Sequence, residues 1–167
     1  MKLKTIILII SLILVSVGFV NAAETHYVNN YNSVDNGEIR WGGSTKYSSQ
    51  WAYAVDTWNE LGEINIAPDT AATYEDLTIY DRYYDDVDWT GKYDNDIIGD
   101  DQIYFNTYYL DDATNDDWIK NTALHELGHA LGLAHHRIDF NVMFEDWANI
   151  ATLGTQDISD YNYLWSK

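Results

Sequence analysis

The chain has 167 residues, with 27 acidic side chains against 9 basic ones and a net charge of −18. A surface that negative is repelled by nucleic acid and by anionic membranes, which excludes both as partners. Cysteine is absent, so disulfides are excluded as well, and stability has to come from packing or from bound metal.

Lys2 and Lys4 form a short basic region ahead of an almost wholly apolar run from Ile6 to Val20. Val20-Asn21-Ala22 supplies the small-residue pattern that precedes signal cleavage. At about 15 residues the run falls short of the roughly 20 that span a bilayer. Residues 1–22 are therefore expected to be a secretory signal peptide, cut after Ala22 or, as the alternative, after Ala23. The mature protein is then extracellular, and only the signal segment ever meets a membrane. Cleavage removes two lysines and no acid, so the net charge of −18 becomes −20. Residues 23–167 suffice for one domain with a core, and a monomer is the default.

Residues 24–36 are polar and Asn-rich and read as a loosely held arm, with His26 at its surface. Glu38 to Trp41 reads as a first strand closed by Gly42-Gly43. Ser44 or Thr45 is placed to cap a helix from Tyr47 to Leu61. Its apolar residues Trp51, Ala54, Val55, Trp58 and Leu61 form one buried stripe, and Gly62 ends it. Ile64 to Ala67 alternates as a second strand before Pro68, and Leu77 to Tyr80 makes a third.

Residues 81–98 mix aspartates with aromatic side chains. Asp94-Asn95-Asp96, with Gly99 at the sixth position, has the start of a calcium loop. Position twelve is Phe105 rather than a bidentate glutamate, so the EF-hand pattern fails. A solvated acidic loop is the main reading, and a structural Ca2+ site built from some of these carboxylates is the alternative. Gln102 to Thr107 alternates as a further strand. Thr114-Asn115-Asp116-Asp117 fits a capping pattern with acids at the positive helix end. It leads into a helix from Trp118 to Leu131. Ala123, Leu127, Ala130 and Leu131 share one face of that helix; Trp118, Thr122, His125 and His129 share the opposite one. Thr155 is expected to cap a closing helix with Ile158, Tyr161 and Leu164 inward.

Four of the five histidines fall in residues 125–136, in the order HExxHxxGxxH. Positions i and i+4 of a helix lie side by side, so His125 and His129 can share one metal ion. Glu126 is roughly 100° further round and can face the same ion without binding it. Were the helix to continue, His135 would sit about 15 Å along the axis from His125. Zinc–nitrogen bonds are only about 2.0–2.1 Å, so the helix must stop. Gly132 is the residue able to take the left-handed turn that stops it. His135 can then approach, with His136 as its neighbouring rival. Three neutral imidazoles leave a tetrahedral zinc one open position, the mark of a catalytic site.

This extended motif, followed by Asn141-Val142-Met143-Phe144, resembles the signature and Met-turn of the metzincin metalloproteases. The chain is most similar to their matrixin branch, the matrix-metalloproteinase-like enzymes. Gly99 to Asn106 resembles the strand before the matrixin active-site helix, and Gln156 to Leu164 resembles its last helix. The resemblance implies an α+β fold. It would hold a twisted mixed sheet of about four to five strands, a long active-site helix, a backing helix and a C-terminal helix. It implies one catalytic Zn2+ on His125, His129 and His135, which settles the rivalry with His136 and leaves that residue to solvent or the rim of the site. Glu126 becomes the general base that takes a proton from the zinc-activated water. Met143 becomes an apolar floor beneath the ion. An edge strand within residues 81–98 would carry an extended peptide or protein substrate.

Four features depart from the family pattern. Glu145 stands where a proline commonly follows the Met-turn, so specificity does not transfer. Phe144 has no hydroxyl to assist the reaction. The histidines of the family's second, structural zinc are missing, and without cysteine there is no cysteine switch. The function implied is that of a secreted zinc-dependent endopeptidase. The alternative is a secreted zinc-binding adhesive or inhibitory module of the same fold.

Overall fold

The computed structural model describes residues 24–96, 99–146 and 148–167. The expected signal segment, residues 1–22, lies outside them. In chain order the elements are β1 (Glu38–Gly43), α1 (Ser48–Asn59), β2 (Asn65–Pro68), β3 (Leu77–Arg82) and β4 (Gly91–Asp94). Then come β5 (Asp101–Asn106), a short α2 (Thr107–Leu110), α3 (Asp116–Ala130) and α4 (Thr155–Trp165). The strands form one five-stranded sheet in the order β2-β1-β3-β5-β4. Every neighbouring pair is parallel except β4 on β5, which is antiparallel and puts β4 at the edge. This is the α+β mixed sheet expected, with its backing, active-site and closing helices in place.

Alternation along the strands sends Ile39, Leu77, Ile79, Ile103 and Phe105 to one face, where all are buried. The buried stripe of α1 (Trp51, Ala54, Val55, Trp58) and the Leu124–Leu127 side of α3 close over that face. Trp58 fixes the two helices to each other, its Nε1 donating to the Leu124 carbonyl at 3.1 Å. Tyr161 of α4 stacks on Trp58, and its hydroxyl accepts the Ile64 N–H at 2.9 Å where β2 begins. On the outer face, register pairs Tyr80 with Tyr104, and the two rings stack 6.1 Å apart under Arg82.

Several boundaries differ from the sequence reading, each for a local reason. β1 runs on through both glycines, because Gly43 at φ 80° lies against the Ile79 carbonyl where a Cβ would collide. Thr45 accepts the Tyr47 N–H just ahead of α1, but Tyr47 holds the cap position itself. α3 starts at Asp116, two residues before Trp118, and its cap is Asn115 rather than Thr114; the Asn115 side chain accepts the Asp117 N–H at 2.9 Å. Thr155 is the first helical residue of α4, not its cap. Gly154 stands at the cap, where a Cβ would strike Asn141 and the Phe140 carbonyl, and Asp157 accepts the Gly154 N–H at 2.7 Å. The helix α2 was not foreseen. Buried Asn106 ends β5, caps α2 through the Tyr108 N–H, and donates to the carbonyls of Tyr84 and Trp89.

The N-terminal arm is a correction of greater consequence. Instead of lying loose, it pairs with the turn after α3. The Asn29 N–H donates to the Gly132 carbonyl, the Ala134 N–H to Tyr27, and the Ser33 N–H to Ala130, at 2.7 to 2.9 Å. Asn29 Nδ2 adds a bond to the Leu133 carbonyl at 2.8 Å.

Candidate metal centre

α3 carries His125, Glu126 and His129 and ends at Ala130. Gly132 then takes φ 92° and turns the chain back. His135 arrives from the other side, its Nε2 lying 2.9 Å from the Nε2 of both His125 and His129. Among the described residues, this trio is the one group of three or more histidine, cysteine or carboxylate side chains whose ligand atoms gather closely enough for a metal ion. Asp94 and Asp96 are in no such group, which leaves the calcium alternative without a gathered ligand set among those residues.

The fit to zinc can be judged from the other ring nitrogens. His125 Nδ1 donates to the Val142 carbonyl at 2.6 Å, and His129 Nδ1 donates to the Leu133 carbonyl at 2.9 Å. Those bonds fix the tautomer, so both Nε2 lone pairs face the centre and His135 Nε2 completes the set. Three lone pairs that close repel one another unless a cation lies between them. Tetrahedral zinc asks for N···N separations of roughly 3.3 Å, near those observed. Backbone carbonyl acceptors behind the histidines are the usual second shell of such sites.

Burial sets the electrostatics. It pushes His125 down to about 3, helped by His129, and His129 down to about 4 against the pull of the Leu133 carbonyl. Both rings are therefore neutral, metal-binding bases well below pH 7. Glu126 goes the other way, up to about 8, because burial outweighs the bond its Oε2 accepts from the Tyr93 N–H at 2.7 Å. These shifts predict the acid stability of the chelated protein. The histidines bind protons more readily unfolded than folded, so stability is full above about 6.5 and falls as pH drops towards 4 and then 3. Glu126 acts with opposite sign between 4.5 and about 8. Thermal melts of metal-free protein should show this decline, and His129→Gln should flatten its slope between pH 4 and 6.5. An unchanged slope would contradict the assignment.

Met143 is fully buried beneath the helix, where a Cβ on Gly128 would run into its sulfur. Asp157 of α4 holds the Met-turn from behind, accepting the N–H of Val142 at 2.8 Å and of Met143 at 3.1 Å. The turn in turn offers the Val142 carbonyl to His125. The motif does not reach Asp157; its one signal in the sequence is an acid three residues past the cap glycine, a pattern of helix-end hydrogen bonding.

His136 corrects the expectation of a solvent or rim position. It is buried, its Nε2 3.6 Å from Asp157 Oδ1 and its ring edge-on to Tyr27. In extended backbone, neighbours point to opposite faces, so with His135 towards the centre His136 must enter the core. Its backbone also pairs with the Met-turn, donating to Met143 and accepting from Glu145. His26 stacks on Tyr163 and approaches Asp160 at 3.3 Å, so it is half-buried rather than at the surface.

A cleft of about 490 Å³ runs past the three histidines and Glu126. Trp89 and Gly91 line it beside the sheet edge, Trp118 and Thr122 on the helix, and Phe144 and Glu145 below. Arg137 pairs with Glu145 at 2.5 Å.

A mixed sheet with an antiparallel edge strand beside the cleft, a helix broken after its second histidine, and a buried methionine packed on that helix at Gly128 together define the metzincin class. A comparison with family models narrows this: the one described as Matrixin matches residues 36–166. The chain belongs to the matrixin family, whose members typically bind zinc. No curated protein matches it.

Proposed function

We propose that the chain is a secreted, zinc-dependent endopeptidase. The observation that carries this reading is the convergence of three imidazole Nε2 atoms beside a buried carboxylate that is not one of them. Secretion rests on the apolar segment that ends at Val20-Asn21-Ala22.

His125, His129 and His135 would hold the ion. Zinc bound there supplies Lewis acidity and brings the pKa of water down towards about 7. Glu126 is anchored through one oxygen by the Tyr93 N–H, which leaves the other oxygen for the attacking water. The charge of a bound cation would offset the burial that raises Glu126 and keep it ionised, so that it would take that water's proton as the oxygen bonds to the peptide carbon and then deliver it to the departing amine.

The sheet edge supplies the substrate track. The Thr90 carbonyl accepts from the Asn106 N–H, so Thr90, Lys92 and Asp94 direct their backbone groups towards β5. Parity then turns Gly91 and Tyr93 outward. With the Tyr93 N–H taken by Glu126, the N–H and carbonyl of Gly91 and the carbonyl of Tyr93 remain for an extended peptide.

Casein incubated with the secreted protein is expected to be cut, with activity lost to a zinc chelator and recovered on adding zinc. Casein left intact by fully zinc-loaded protein would overturn the reading and favour an adhesive or inhibitory module.

A further inference from the structure

β4 is four residues long and hydrogen-bonded to the sheet on one side only. Its distance from α3 must therefore be set by something other than sheet pairing. Gly91 packs on Thr122 and Glu126, the Thr122 hydroxyl bonds that of Thr90 at 3.0 Å, and Tyr93 spans the remaining gap to the base. Its N–H donates to Glu126 Oε2 at 2.7 Å, its ring lies 6.5 Å from that of His129, and its hydroxyl donates to Asp101 Oδ2 at 2.5 Å. Register pairs Tyr93 with Ile103, so Asp101 is its diagonal neighbour on the same face.

Asp101 is only 6% exposed. Ser33 of the arm donates to the same oxygen at 2.7 Å, while Asn95 Nδ2 and the Asp96 N–H donate to Oδ1 at 2.9 and 3.0 Å. Four donors on two oxygens fill the acceptor sites of a carboxylate, which makes Asp101 a fixed post. Burial, with the adjacent carboxylate, pushes the Tyr93 phenol well above its ordinary range, so it remains a hydroxyl donor.

We propose that Tyr93 and Asp101 are positioning residues for peptide hydrolysis: the hydroxyl–carboxylate bond holds the Tyr93 N–H on Glu126 and so aims the free oxygen of the base at the water. This rests on the reading of Glu126 as general base. The effect falls chiefly on turnover, because of the backbone groups offered to the peptide only the Tyr93 carbonyl belongs to the tethered residue, while those of Gly91 stay in place. Small displacements of a catalytic group suffice to slow a reaction by an order of magnitude or more.

The test uses Tyr93→Phe, which removes one oxygen and keeps the ring, and Asp101→Asn, both in zinc-loaded full-length secreted protein. On a fluorogenic peptide each should lower kcat about tenfold with KM held within about twofold, and the double variant should fall no further than the weaker single. Zinc content should be unchanged. In both variants the Tyr93 amide should exchange with solvent about tenfold faster, with or without metal. Tyr93→Phe with kcat within about twofold of the parent overturns the proposal, and so does unchanged exchange of that amide. Failure of the underlying reading shows separately, as an unaltered protein without chelator-sensitive hydrolysis, and the positioning role falls with it.

Discussion

Glu126→Gln is expected to lower peptide hydrolysis about a thousandfold while leaving zinc bound, since a positioned general base contributes some 10² to 10⁴ in rate. The substitution keeps the shape of the side chain and its acceptor for the Tyr93 N–H. Removed is the capacity to take a proton. The three histidines are untouched, and their Nδ1 bonds to Val142 and Leu133 do not involve Glu126. Zinc content by mass spectrometry and turnover on a fluorogenic peptide separate the two effects. Turnover within tenfold of the parent, with one zinc per chain, would remove Glu126 from the proposed role.

Asp157→Ala should have the largest effect on stability, about 3–5 kcal/mol, measured by chemical denaturation of zinc-loaded protein. The carboxylate satisfies the buried N–H groups of Val142 and Met143 and the N–H of Gly154 at the start of α4. Removing it strands those donors away from water and vacates the space beside His136. Such a loss is a large share of the 5–15 kcal/mol typical of a domain. The damage should extend to the metal, because the Val142 carbonyl that orients His125 belongs to the same turn. Zinc affinity is therefore expected to drop by at least tenfold. Asp157→Asn, which keeps one good acceptor, should lose less of both. A stability change under 1 kcal/mol for the alanine variant would mean that the turn holds its shape without this prop.

The clustering of the three histidines was legible in the sequence because its geometry is written in residue types: two histidines one turn apart, a glycine to break the helix, a third histidine beyond it. Their supports were not. Val142 and Leu133 act through carbonyls and Tyr93 through its N–H, groups that every residue except proline carries alike. Adjacent cap formers such as Thr114 and Asn115 compete within a fraction of a kcal/mol, so the boundary of α3 was open to a small shift. The arm failed for a different cause. Its asparagines look like solvated loop, yet Asn29 and Asn32 lie against the turn at Gly132, a contact about a hundred residues away. The motif as a string says nothing of which way His136 faces; the parity of an extended segment turns it inward when His135 points to the centre.

The closeness of His125 and His135 along the chain has a consequence for assembly. An ion that joins them closes a loop of about ten residues, whereas joining Asn29 to Leu133 closes one of about a hundred, at a cost roughly 2 kcal/mol higher in chain entropy. Gathering the histidines is therefore cheap in chain entropy, while the Val142 carbonyl that orients His125 and the bond between Glu126 and β4 need the folded domain. The three histidines can thus meet before the sheet is complete, whereas Glu126 gains its Tyr93 partner only once β4 is in place.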